Sequence, residues 1–282
     1  MTKIIHSIAE LRAVRKSWGF EKKLGFVPTM GALHAGHGSL VARSVAENDY
    51  TIVSVFVNPT QFGPKEDLAK YPRTLEKDVE LVQGFGADVV FAPSPADIYP
   101  VQPAQIRFGL LDMDKKLCGK SRPGHFDGVI QVVSLLFHLV QPDNAYFGQK
   151  DFQQLMIIQQ LAKEQHFPVN IIGGETIREN DGLAMSSRNI YLSAEERKNA
   201  VALSQILFYL RDNVALFQGI EEMKNYVNQE LNKISGLRLD YFEILEENAL
   251  AEIENWEASA QPHAFIAAFF GNTRLIDNIR LR

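Results

Sequence analysis

Two histidines three residues apart, His34 and His37 in "FVPTMGALHAGHGSL" (26–40), stand where an apolar segment runs into a helical pattern. Residues three apart on a first helical turn face the same way. The unpaired amides of a helix N-terminus point at any anion placed there, and the dipole adds to the attraction. Two imidazoles so placed can donate hydrogen bonds to a polyphosphate. Gly31 and Gly36 remove side chains where a phosphate or a flat base must approach the backbone. Two other readings stand beside this one: the pair caps and packs only, or it chelates a metal. Chelation needs a third and usually a fourth ligand, and the other histidines (6, 125, 138, 166, 263) are scattered.

Three further stretches hold residues of the same kind of chemistry. "MSSRN" (185–189) sets Met185, Ser186, Ser187 and Arg188 in a polar loop. Alone it reads as a solvated linker; beside the histidine pair it suits clamping a triphosphate and stabilising a departing anion. "FVNPTQFG" offers Asn58 and Gln61, neutral amides that donate and accept. A turn on Asn58-Pro59 is part of the same reading. In "FGQKDFQQL", Lys150 supplies a compact positive charge, and Asp151 offers a carboxylate that can accept from a hydroxyl or cap a helix. Gln154, three residues on, shares that face.

These stretches need a scaffold, and the chain supplies an alternating one. The runs 23–30, 50–57, 87–93, 144–149 and 168–177 are apolar and β-branched or aromatic, and read as strands. Helical patterns lie at 37–47, 73–84, 127–140 and 150–165, and the first eighteen residues read as an amphipathic helix. Alternating strand and helix implies a parallel Rossmann-like α/β sheet with right-handed crossovers. Ligands bind such sheets beyond the carboxyl ends of the strands, where three of the four stretches fall. From about 177 the pattern changes. A polar loop leads to a helix with Ser193 as N-cap and Glu196 completing a capping box, then a helix near 220–234, then three strand-like runs in 237–281. The expected organisation is a Rossmann-like domain over 1–176 and a smaller C-terminal α+β domain over 177–282.

Composition narrows the class. A hydrophobic fraction of 46% and a charged fraction of 22% suit an ordinary globular protein, and 282 residues bury enough surface to fold without disulfide or metal. The net charge of -5, with no long basic run, weighs against nucleic-acid and anionic-membrane partners. Cys118 is the single cysteine, which rules out an internal disulfide and a Cys-rich zinc site and suits a reducing cytoplasm. The N-terminus lacks a signal peptide's apolar core, and no stretch approaches the roughly 18 apolar residues of a membrane span. A cytoplasmic location is expected.

HxGH with a downstream MSS-type loop resembles the nucleotidyl-transferring α/β superfamily that includes class I aminoacyl-tRNA synthetases. The ordered strings "PTMGALHAGH", "FVNPTQFG", "YPRT", "RPGHFDGV", "FGQKDFQQL", "LAMSSRN" and "GNTRLIDN" narrow the resemblance, over nearly the whole chain, to the pantothenate synthetase family. That resemblance implies condensation of pantoate with β-alanine, driven by ATP through a pantoyl-adenylate, with release of pyrophosphate and AMP. It implies an ATP site made of Met30, Gly31, Ala32, Leu33, His34, Ala35, Gly36, His37, Gly148, Gln149, Lys150, Asp151, Ile177, Met185, Ser186, Ser187 and Arg188, with the Ile177 backbone on adenine. His37 is implied as proton donor, supported by His34, Lys150, Ser186, Ser187 and Arg188. Gln61 is implied on pantoate and β-alanine, and Gln154 on pantoate. Asn58 and Arg122 are weaker candidates for the substrate, with His125 beside Arg122 in sequence.

As pantoate's carboxylate attacks the α-phosphorus, charge spreads over phosphate oxygens, so catalysis is chiefly positioning and charge stabilisation. The resemblance also implies Mg²⁺, for which Asp78 is a candidate through water and no direct ligand is assigned. It further implies a homodimer, and a C-terminal domain that closes over the adenylate. Three departures from the family pattern stand out: Gln149 where glutamate is common, Gly38 where leucine is common, and Lys77 in place of an acid. Ala184 stands where synthetases of the wider superfamily carry lysine, which leaves more of the triphosphate charge to Lys150 and Arg188.

Overall fold

The central strands are apolar on both faces, as strands covered by helices on two sides must be. In the computed structural model, which describes residues 2–64, 66–100, 109–254, 256–257 and 259–282, six strands form one wholly parallel sheet. They are β1 (Lys3–Ile5), β2 (Leu24–Thr29), β3 (Tyr50–Val55), β4 (Val89–Phe91), β5 (Asn144–Gly148) and β6 (Asn170–Gly174), in the order β1-β4-β3-β2-β5-β6. The helices of this part are α1 (Ile8–Trp18), α2 (Ala35–Glu47), α3 (Leu75–Gly84), α4 (Pro95–Ile98), α5 (Leu117–Ser121), α6 (His125–Val140) and α7 (Phe152–Glu164).

Period-two alternation assigns the strand side chains to layers. Phe26, Ile52 and Val89 point into a core shared with α1, α6 and α7. Val27, Val53 and Val90 point into a second core with α2 and α3. The N-terminal segment departs from the expected single helix. Lys3–Ile5 pairs with Val89–Phe91 as an edge strand, and the helix starts only after Ser7, whose hydroxyl forms a capping box with Glu10. Three residues have no period to read, and their partner lies 86 positions on. Gly38 is matched by Phe85: a Cβ at 38 would sit 2.2 Å from that ring, so Phe85 fills the space a side chain there would take.

Beyond the sheet, α8 (Ala194–Ala200) and α9 (Ala202–Asp212) break one expected helix at Val201, and the capping box of Ser193 and Glu196 is present. After α10 (Ile220–Leu231) come β7 (Leu237–Glu246), β8 (Pro262–Phe270) and β9 (Thr273–Arg280), a separate antiparallel sheet in that order. One face packs on α8–α10. Leu245, Leu250 and Phe265 join the core of the parallel sheet instead, so the two parts share apolar contact.

The sheet order reverses between β2 and β5, which is where a crevice opens in such folds. Pairing of these strands stops at Phe26 and Ala145. Pro28 follows, with no N–H to give a ladder, and the strands part above it. No described helix is long and apolar enough to cross a membrane.

Candidate active site

Above Pro28 the chain turns through Gly31 (φ +79°) and Ala32 (φ +52°), a left-handed pair that needs outside support. Asp78 on α3 provides it, accepting the amides of Ala32 at 3.1 Å and Leu33 at 2.8 Å and the Thr74 hydroxyl at 3.1 Å. Only 2% of Asp78 is exposed. Its carboxylate accepts three bonds at this turn and does not line the cleft, so it braces the loop from behind.

The turn delivers His34 to the N-cap of α2. His34 Nδ1 accepts the Gly36 amide at 3.2 Å, and His37 Nδ1 accepts the His34 amide at 3.3 Å, so the two rings form a reciprocal capping box. A Cβ on residue 36 would lie 2.9 Å from the His34 ring, which explains the glycine between them. An Nδ1 that accepts carries no proton. Both rings are therefore the tautomer with the proton on Nε2, leaving that N–H for the cleft. Burial, and then the Lys150 charge, lowers the His34 pKa to about 4; burial, and then His34, lowers that of His37 to about 3. The neutral donor form prevails at ordinary pH. The arrangement that caps α2 thus also leaves two N–H donors unspent. Among the described residues no three His, Cys, Asp or Glu side chains are grouped to hold a metal, so chelation by this pair has no third ligand.

Across the crevice, β5 ends at Gly148 and delivers Lys150 and Asp151 to the start of α7. Asp151 occupies the N-cap position without a side-chain capping bond, and its carboxylate lies 3.6 Å from Lys150 Nζ. Burial alone would raise the Asp151 pKa, but Lys150 and Arg188 outweigh it and hold the carboxyl below its usual range. The 177–188 loop closes the third side. Ile177 and Met185 are tied by a backbone bond of 3.0 Å, and Ser186 accepts the Arg188 amide at 3.2 Å. The Arg188 guanidinium is gripped by both oxygens of Asp67 at 3.0 Å and lies over the Tyr71 ring, whose hydroxyl meets Ser187 Oγ at 3.3 Å.

The fourth side is built around Gln61. Asn58, 1% exposed, donates to Gln61 Oε1 at 3.1 Å and to the Gly128 carbonyl at 3.0 Å, and accepts from the Tyr99 hydroxyl at 2.8 Å. Its amide is consumed, so Asn58 orients Gln61 from behind. A Cβ on Gly128 would come within 2.4 Å of the Thr60 carbonyl oxygen, so glycine lets α6 abut this turn. Arg122 is held by Glu66 through two bonds of 2.6 Å and donates to His125 Nε2 at 3.0 Å; His125 Nδ1 then donates to the Gln61 carbonyl at 2.8 Å. Burial, then Arg122, lowers the His125 pKa to about 4. Phe56, Phe62, Val129, Val132 and Val133 add an apolar wall.

One cavity brings together Met30, His34, Gly36, His37, Asn58, Gln61, Arg122, Gly148, Lys150, Asp151, Gln154, Ile177, Met185, Ser186, Ser187 and Arg188. Gly31, Ala32, Leu33, Ala35 and Gln149 are not on its wall and form the backbone behind it. Sequence reasoning did not single out Glu66, Asp67 or Tyr99. Tyr71 belongs to "YPRT", but nothing in its spacing marks it as a partner of Arg188.

A parallel sheet whose switch point carries two capping histidines, a lysine and a serine–arginine loop defines an α/β enzyme built to hold a nucleotide's phosphates. The chain belongs to the pantoate-beta-alanine ligase family, whose model matches residues 3–280. It is 50% identical, over 99% of both chains, to the pantothenate synthetase of Bacteroides fragilis strain YCH46. The crystal structure of pantothenate synthetase from Thermus thermophilus is similar over 99% of both chains, with a TM-score of 0.91 and 41% identity. A ligase from Francisella tularensis, complexed with beta-gamma ATP and beta-alanine, matches all of this chain and 98% of its own, with a TM-score of 0.84 and 37% identity. Membership sets the activity as that of a pantoate–β-alanine ligase, which forms pantothenate.

Proposed function

We propose that the chain activates pantoate as its adenylate and passes the pantoyl group to β-alanine. ATP lies along 30–37, 148–151 and 185–188. The observation that carries this reading is the convergence of two fixed Nε2–H donors with Lys150 and Arg188 on one cleft. Pantoate's carboxylate forms a bond to the α-phosphorus as the bond to pyrophosphate breaks. The leaving charge meets the His34 and His37 donors and the two cations, which are already in place and need no reorganisation. Pantoate's hydroxyls suit Gln61 and Gln154, and its two methyl groups suit the apolar wall of Phe56, Phe62 and the α6 valines. The amine of β-alanine then attacks the acyl carbon and AMP leaves.

The cleft's carboxylates, Asp151 and Glu175, form a sparse donor set. That suits Mg²⁺ held mainly by phosphate oxygens and water; when bound it would neutralise phosphate charge. We read 177–282 as a smaller domain that closes over the adenylate to keep water from the mixed anhydride. A cytoplasmic homodimer is the working form the family likeness suggests.

Pyrophosphate release tests the reading. ATP, Mg²⁺ and pantoate should give a stoichiometric burst, and steady turnover should need β-alanine. No release from folded protein under either condition would overturn it.

A further inference from the structure

The string "GNTRLIDN" ends in β9, on the antiparallel sheet, and none of its residues lies on the cavity wall. Two of them nevertheless reach both loops that do. Asn278 donates through Nδ2 to the carbonyls of Gln149 at 3.0 Å and Lys150 at 2.8 Å. Asp277, next to it, takes Arg178 in a two-point pair at 2.6 and 2.9 Å. Arg178 also donates to the Gly182 carbonyl at 3.1 Å, and so folds the loop that carries Ile177 and Met185. The other end of the Asn278 amide is engaged within the sheet itself, where Oδ1 lies 2.8 Å from His263 Nε2 on β8.

That last contact sets the amide's direction. With Oδ1 taken by the His263 N–H, Nδ2 must face the two loop carbonyls. His263 is held in turn by Phe152 and Phe265, with ring centroids 4.4 and 4.7 Å away. Asn278 and Asp277 are 7% and 3% exposed, so neither bond competes with water. An apolar pair would pack this strand as well, and would leave the loops unconnected.

We propose that Asp277 and Asn278 are positioning residues for ATP. They join the 149–151 turn to the 177–188 loop through β9, so that Lys150 and Arg188 address one triphosphate at a set spacing. This rests on the ATP reading above, and it adds a requirement that the cleft residues alone do not show.

The test compares the full-length wild type with Asn278→Leu, which removes three hydrogen bonds and adds no charge, and with the milder Asp277→Asn. ATP affinity by titration calorimetry and the KM values for ATP and β-alanine are measured beside the melting temperature. Asn278→Leu should weaken ATP binding about tenfold, the scale of two lost hydrogen bonds, with the β-alanine KM and kcat within about twofold. Asp277→Asn should shift ATP alone in the same direction by less. A lower melting temperature with ATP affinity unchanged would overturn the proposal, as would an equal rise in every KM. If Asn278→Leu does not fold, Asp277→Asn decides by the same criterion. Absence of turnover in the wild type would count against the ligase reading, whereas calorimetry would still decide the role of this pair.

Discussion

The histidine turn and the serine–arginine loop address the same cleft, yet they are held in opposite ways. His34 and His37 are set by bonds that span two and three residues, with one remote brace at Asp78. Arg188 is set by Asp67, 121 residues away, and Arg178 by Asp277, 99 residues away. A turn that caps itself keeps its donors aimed whenever α2 is formed. A loop hung on distant carboxylates is aimed only when the whole chain has assembled.

Removing a donor from the self-capped side should have the largest effect. His37→Ala should lower the rate of pyrophosphate release by about a hundredfold to a thousandfold, as loss of a preorganised donor to a leaving anion does. Its melting temperature should fall only by what about 1 kcal/mol of lost capping implies. A loss below tenfold in a rapid-quench assay would mean the histidines cap without stabilising the leaving group, and the contrast would collapse.

On the remote side the cost should be smaller and should appear in binding. Asp67→Asn leaves Arg188 in place but slackens its two-point grip, and the KM for ATP should rise about fivefold with kcat nearly unchanged. Steady-state kinetics with ATP varied would show it; an effect on kcat as large as that of His37→Ala would erase the distinction between the two sides.

The smallest expected effect is a flat line. With folded pKa values of about 4 and about 3, His34 and His37 do not titrate near the ordinary 6.5. The kcat of the pantoate half-reaction should show no break from them between about pH 5.5 and 8. Stability behaves differently. The unfolded chain binds more protons than the folded one between 6.5 and those lowered values, so stability falls as pH drops through that window. A rate break near 6.5 would show that the rings are not locked as neutral caps.

The same division decides what could be read in advance. Five strands of the parallel sheet, the capping box at Ser193 and the histidine helix start carry period or cap signals within a few residues, and the structure has them. β1 is hidden in an apparent helix because its three residues are a strand only through Val89–Phe91. Asn58 reads as a substrate amide from its type; packing gives both ends of it to Gln61, Gly128 and Tyr99. Asp78 reads as an acid near phosphates and proves to be the brace of a left-handed turn.

By itself, then, the sequence determined the kinds of chemistry present and the local turns that display them, since caps and periodic apolar faces depend on neighbours only a few residues apart. The tertiary structure alone decided which carboxylate holds which cation, which amides remain for a ligand, and that β9 ties the two loops together. The carboxylate pairs of Arg122, Arg178 and Arg188 and the Asn278 bonds to Gln149 and Lys150 join positions 56 to 129 residues apart. No local period encodes them, because each forms only when separate elements pack and burial makes an unpaired charge or amide too costly to leave.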